Sequence, residues 1–155
     1  MKTETKYFGA VDYDPEDILT FSQGLYGFEE EREFLLLPFA GSQGMFSLQS
    51  LSTPQLAFIL MDPFALDPDY APVLQAEELE KLDVSDSREL FFYVTCVARS
   101  PVGESTVNLR CPLAINGDNG KAMQVILEDS RYQMRHRLAE FETEEEEEEG
   151  EPQPC

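Results

Sequence analysis

The chain has no tryptophan, a single histidine, three cysteines and only 11 basic residues in 155. Each scarcity excludes a class of function. No apolar run approaches the ~20 residues that a membrane-spanning helix needs. The opening Met1–Lys6 is not followed by an apolar stretch of the signal-peptide type, so a cytoplasmic address is expected. Cys96, Cys111 and Cys155 are odd in number and form no C-x-x-C pair, which argues against a disulfide framework or a zinc site. Reduced thiols suit the cytoplasm. Cys96 lies in an apolar run and reads as a core residue, and Cys155 reads as exposed. With one histidine, any Ser-His-Asp or Cys-His arrangement must pass through His136. It stands between Arg135 and Arg137 with no companion catalytic motif, so a surface role in a basic patch is expected.

Other motifs fail for equally local reasons. Asp12, Asp14, Glu16 and Asp17 alternate, but they lack the glycine and terminal glutamate of a calcium loop. Gly24-Leu25-Tyr26-Gly27 has no following lysine and helix, so it is not a phosphate loop. Aromatic residues are not interleaved with bases as single-strand nucleic-acid binders require. No cofactor and no enzyme activity are expected.

What is abundant is negative charge: 31 acids against 11 bases, a formal net of −20. Nine of the acids fall between Glu140 and Glu151, which leaves 22 acids against the same 11 bases in the rest. A body that acidic repels nucleic acid and anionic lipid and attracts basic proteins. The composition breaks near Leu138 to Phe141, so a β domain over residues 1–139 and an acidic, disordered tail over 140–155 are expected. Arg131, Arg135, His136 and Arg137 form the one basic cluster, readable as an anion site or as a patch covered by that tail.

The body reads as short strands between Gly/Pro turns. Thr5–Val11 alternates as a strand would, Ile18–Phe21 is short and apolar, and Glu29–Glu33 suits one helical turn. Phe34–Leu37 reads as buried, Met45–Leu51 has clean period two, and Leu56–Met61 is continuously apolar. Leu90–Ala98 is the longest strand candidate. Thr106–Leu109, Leu113–Ile115 and Met123–Leu127 follow, the last two joined by a hairpin turn at 116–120. Gln75–Leu82 is the one convincing helix, with Leu79 and Leu82 on its apolar edge. Tyr132–Leu138 has no clear type. This spacing predicts an antiparallel sandwich or small barrel, not a parallel α/β sheet. Phe21, Phe46, Phe58, Phe92 and Val107 are assigned to the core.

Several segments stand out together, in a fixed order along the chain. They are Leu19-Thr20-Phe21 with Gly24–Glu29, Phe46–Ser50, and Leu56–Leu60 running into Asp62-Pro63-Phe64 and Tyr70. Thr106–Leu109, Pro112–Asn116 and Gln124–Leu127 complete the set, across about residues 5 to 138. In this order and spacing the segments resemble the flagellar assembly factor FliW family, which often has proline where Tyr26 stands. The resemblance implies a mainly β, small antiparallel β-barrel-like single domain with one short helix and no enzyme activity. It also implies two alternative partners: flagellin, and the RNA-binding translational regulator CsrA, whose repression of flagellin synthesis is lifted when it is bound.

Loops carry exposed groups at low structural cost. The candidate contact residues are therefore Asp62, Phe64, Asp67 and Tyr70, with Asn108 and Asn116 at an edge. Each has a purely structural alternative: Phe64 and Tyr70 as loop aromatics capping the core, Asn108 and Asn116 as turn residues satisfying the backbone. A monomer without direct nucleic-acid or membrane binding is expected. The competing functional classes are a small acidic ligand-binding β-barrel and a nucleic-acid-mimic inhibitor. The first would need a deep polar pocket, the second acids in rows along one face.

Overall fold

A computed structural model describes residues 1–41 and 44–141. Eleven strands run in chain order: β1 (Lys2–Thr5), β2 (Gly9–Asp12), β3 (Leu19–Phe21), β4 (Glu33–Pro38), β5 (Met45–Ser50), β6 (Ala57–Met61), β7 (Phe91–Val97), β8 (Thr106–Val107), β9 (Leu113–Ile115), β10 (Lys121–Gln124) and β11 (His136–Arg137). Two short helices, α1 (Pro63–Leu66) and α2 (Ala76–Lys81), lie in the excursion between β6 and β7. The strands pair in the order β7-β6-β5-β4-β3-β10-β9, and β9 returns to β7, closing a seven-stranded barrel. All of its pairings are antiparallel except β3 with β10, where Thr20 and Phe21 run parallel to Lys121 and Ala122. β7 is long enough to serve two neighbours on one edge. Phe91–Tyr93 pair with β9, while Cys96 and Val97 turn away to β8.

Side chains alternate along each strand, so one face of every barrel strand points inward. The inner face carries Phe21, Phe34, Leu48, Leu60, Leu113, Ile115 and Ala122, all buried, with Leu25 over one end. Phe46 and Phe58, expected in the core, pack on this cluster but stay partly exposed because they lie toward the barrel ends. A second cluster forms outside the barrel wall, where the 62–90 excursion and the C-terminal segment cover Phe92, Val94, Ala114 and Met123 with Tyr70, Leu74, Leu82 and Tyr132. The Ser47 and Gln49 face of β5 is buried as well, and the Gln49 amide oxygen accepts from Lys6 N–H at 2.9 Å. Clean alternation in β5 therefore does not mean one wet face.

Three expectations need correction. Thr5–Val11 is not one strand: β1 and β2 form a hairpin that turns at 6–8, with Gly9 at φ +66°. Glu29–Glu33 is not helical. Glu31 instead accepts from the Ser50 and Thr53 hydroxyls and ties the turn after β5 to the start of β4. Helix α2 is not alone: Asp62 caps α1 by accepting from Phe64 N–H at 2.9 Å, and Pro63 begins it. The described residues end in a 3₁₀ turn over Leu138–Phe141. The acidic tail from Glu142 lies outside the described residues.

Candidate protein-binding surface

One end of the barrel is an open groove of about 580 Å³. It exists because β7 leaves β9 after Tyr93, which splays the wall, and because β3 ends at Phe21 in a tight turn. That turn requires Gly24, at φ +67°, since a Cβ there would meet the Glu29 backbone at about 2.5 Å. The turn presents Tyr26. A chain of hydrogen bonds frames the mouth. Tyr26 N–H donates to the Gln124 amide oxygen at 3.0 Å, and Gln124 Nε2 donates to Cys111 C=O at 3.2 Å. Cys111 N–H donates to Asn108 Oδ1 at 2.9 Å, and Asn108 N–H donates to Thr95 C=O at 3.1 Å.

None of the fourteen residues lining this groove is charged, in a chain where 27% of residues are. Its rim holds large apolar side chains in water: Tyr26 is 55% exposed, Met134 54%, Val97 51% and Ile126 47%. Contiguous exposed apolar surface of this kind marks an interaction site. The two thiols in the lining are poor nucleophiles, because burial raises the pKa of both Cys96 and Cys111 and keeps them protonated. Burial also raises the Tyr26 phenol, with Cys111 and Glu78 adding to it, so the mouth stays neutral.

A second groove, about 630 Å³, lies beside α1. Phe64, 40% exposed, stacks edge-on to Tyr70 at 5.7 Å and to Phe92 at 6.4 Å between ring centres. Its rim is charged: Arg88 Nη2 reaches Asp86 Oδ2 at 2.9 Å, and these bonds hold the Asp86 pKa at about 2.

Among the described residues, His136 is held by structural contacts. Its Nε2 accepts from Gln133 N–H at 2.8 Å, which leaves the proton on Nδ1, facing Glu140 at 3.1 Å. Both nitrogens are used in holding the C-terminal segment. The basic cluster is largely neutralised on the spot: Arg131 pairs with Asp129 at 2.7 Å and Arg137 with Glu104 at 3.3 Å. Among the described residues, no group of three or more His, Cys, Asp or Glu side chains is set to hold a metal.

Comparison with known proteins fits this architecture. The model of the family described as FliW protein matches residues 2–138. The chain belongs to the FliW family. The flagellar assembly factor FliW of Geobacillus sp. (strain WCH70) is 39% identical, covering 89% of this chain and 95% of that one. The FliW of Heliobacterium modesticaldum is 36% identical, covering 89% and 90%. A solved FliW crystal structure superposes with a TM-score of 0.83 at 36% identity, covering 89% of this chain and 96% of that one. Both grooves lie within the part shared with the FliW family. The mainly β barrel implied by the sequence resemblance is the architecture found.

The six candidate contact residues divide into two kinds. Tyr70 and Asn116 are interior. The Tyr70 hydroxyl donates to Leu109 C=O at 2.6 Å, and burial drives its pKa far up, so it stays neutral. Asn116 Nδ2 donates to Leu82 C=O at 2.8 Å, capping the C-terminal end of α2, while its Oδ1 accepts from Asp118 N–H. These two side chains take the structural role that was their alternative reading. Asp62 and Asp67 bracket α1, each accepting a backbone N–H, and Phe64 is exposed between them. Asn108 lies in the barrel mouth. The sequence reading passed over Tyr26, Val97, Ile126 and Met134. Only Tyr26 carried a signal, as an aromatic held between two glycines.

Proposed function

We propose that this protein is a flagellar assembly factor that works in the cytoplasm as a monomer, by stoichiometric binding and not by catalysis. It holds flagellin in one complex and CsrA in another. Flagellin bound to it leaves CsrA free to repress flagellin synthesis, and export of flagellin frees it to take CsrA. The observation that carries this reading is family membership across residues 2–138, a span that includes the uncharged barrel mouth. The mouth is the primary contact surface, through Tyr26, Val97, Asn108 and Ile126. The groove bearing Asp62, Phe64 and Asp67 is the second.

The chemistry supports two complementary contributions. An uncharged apolar groove favours partner side chains that leave water. The acidic body around it attracts a basic RNA-binding protein and repels the RNA that protein would otherwise hold. The test is binding of the purified chain to purified flagellin and purified CsrA, followed by competition between them. Saturable complexes with each, and displacement of RNA from CsrA that weakens with added salt, support the proposal. Failure to bind either protein would overturn it.

A further inference from the structure

Beyond Gln124 the chain continues extended to Glu128 with only one edge paired. Val125 N–H donates to Pro112 C=O at 3.0 Å and Leu127 N–H to Arg110 C=O at 2.8 Å, so the odd residues face the 110–112 segment. Backbone groups of the even residues face the other way. Next to Ala122 that side is filled by β3, but β3 ends at Phe21 and turns off. Neither the N–H nor the C=O of Ile126, and neither of Glu128, has a hydrogen-bond partner among the described residues. Ile126 and Glu128 also line a slot of about 250 Å³, whose opposite side carries Ala71, Val73, Leu74, Gln75 and Glu78.

We propose that this edge is a strand-addition site for an extended segment of a partner protein, one that alternates apolar and cationic side chains. The proposal rests on the protein-binding reading above and states how one contact is made. An extended segment is selected over a helix because a helix satisfies its own backbone and would leave the four groups unpaired. The side-chain chemistry follows from what lines the slot. Val73 is 74% exposed and Ile126 47%, offering apolar contact. Glu78 and Glu128 stand beside them, engaged by neutral groups of Gln75 and, among the described residues, by no cation, while Asp129 already faces Arg131. Ile126 also lines the barrel mouth, so an added strand runs into that groove. A second copy of this acidic chain is disfavoured, since like charges would meet across the new pair.

The test uses the full chain and a synthetic eight-residue peptide alternating Lys and Val, with a Glu/Val peptide and a Lys/Val peptide N-methylated at alternate residues as controls. The Lys/Val peptide saturates below about 1 mM and slows amide exchange at Ile126 and Glu128. The Glu/Val and N-methylated peptides bind at least about tenfold more weakly. Ile126→Pro, which removes one donor, abolishes the effect. Glu128→Arg, a surface change, weakens Lys/Val binding and strengthens Glu/Val binding. The proposal is overturned by no binding, by equal binding of the N-methylated peptide, or by binding that leaves the Ile126 and Glu128 amides unprotected. Concentration-dependent dimerisation through this edge would also overturn it, by naming a second copy as the occupant. Flagellin and CsrA are not used, so failure of the partner assignment leaves this test intact, and failure here leaves the barrel mouth available to both.

Discussion

The barrel mouth and the groove beside α1 are nearly equal in volume, about 580 and 630 Å³, yet they differ in kind. The mouth is lined without charge and framed by backbone and amide hydrogen bonds, with its apolar side chains in water. The other groove is floored by Tyr70, whose hydroxyl is committed inward, and edged by the Asp86–Arg88 pair. Size does not choose between them; desolvation does. A partner entering the mouth strips water from apolar surface and from no ion, whereas the second groove keeps a solvated ion pair at its rim.

The most damaging change to this contrast is one that destroys the mouth at its frame. Gly24→Ala forces a Cβ onto the Glu29 backbone in a left-handed conformation, for a loss of at least about 1–3 kcal/mol. Denaturant unfolding measures that loss, and partner binding should fall with it as Tyr26 is displaced. Val97→Glu places a charge in the uncharged groove from an exposed position. Binding of the partners proposed above should weaken at least about tenfold, with the melting temperature kept within a few degrees. An unaltered affinity would move the contact surface away from the mouth.

Tyr70→Phe and Asn116→Ala probe the interior residues. Each removes a buried hydrogen bond, and Asn116→Ala also uncaps α2, for about 1–3 kcal/mol of stability apiece with affinity unchanged. Phe64→Ala separates the grooves directly: a change in affinity below about threefold leaves the mouth dominant, and a larger one promotes the α1 groove. Arg88→Ala should do least. Asp86 has a folded pKa lowered to about 2, so its contribution is present above the ordinary carboxylate pKa and lost as pH falls toward 2. The pair is open to solvent, with the Arg88 side chain 90% exposed and that of Asp86 44%, so acid unfolding curves of parent and variant should nearly coincide.

Much of this was legible in one dimension, for identifiable reasons. β7 declares itself through Phe91–Val97, a run of aromatic and β-branched residues. Helix α2 declares itself through the apolar edge of Leu79 and Leu82. Its end at Leu82 was legible too, but not what holds it, because the left-handed position is filled by Asp83 and not glycine. Lys121 at 2.7 Å and Asn119 at 3.0 Å hold that aspartate from the far hairpin, contacts with no local trace. Asn116 misled for the same reason. An asparagine followed by Gly117 looks like an exposed turn, and its amide is nevertheless fixed under Leu82, 34 residues away in sequence. The mouth residues Tyr26, Val97, Ile126 and Met134 were unreadable as a group, since nothing in their spacing brings four segments together.

The sequence by itself determined the strand-rich character of the body, its acidity and the order of segments shared with its family. Those are properties of composition, period and turn chemistry, which act over a few residues. Only the tertiary structure decided that the sheet closes on itself, that β3 stops short and leaves an unpaired edge at Ile126 and Glu128, and that Tyr70 and Asn116 face inward. Closure, exposure and hydrogen-bond satisfaction depend on which distant segments meet, and that is settled by long-range packing.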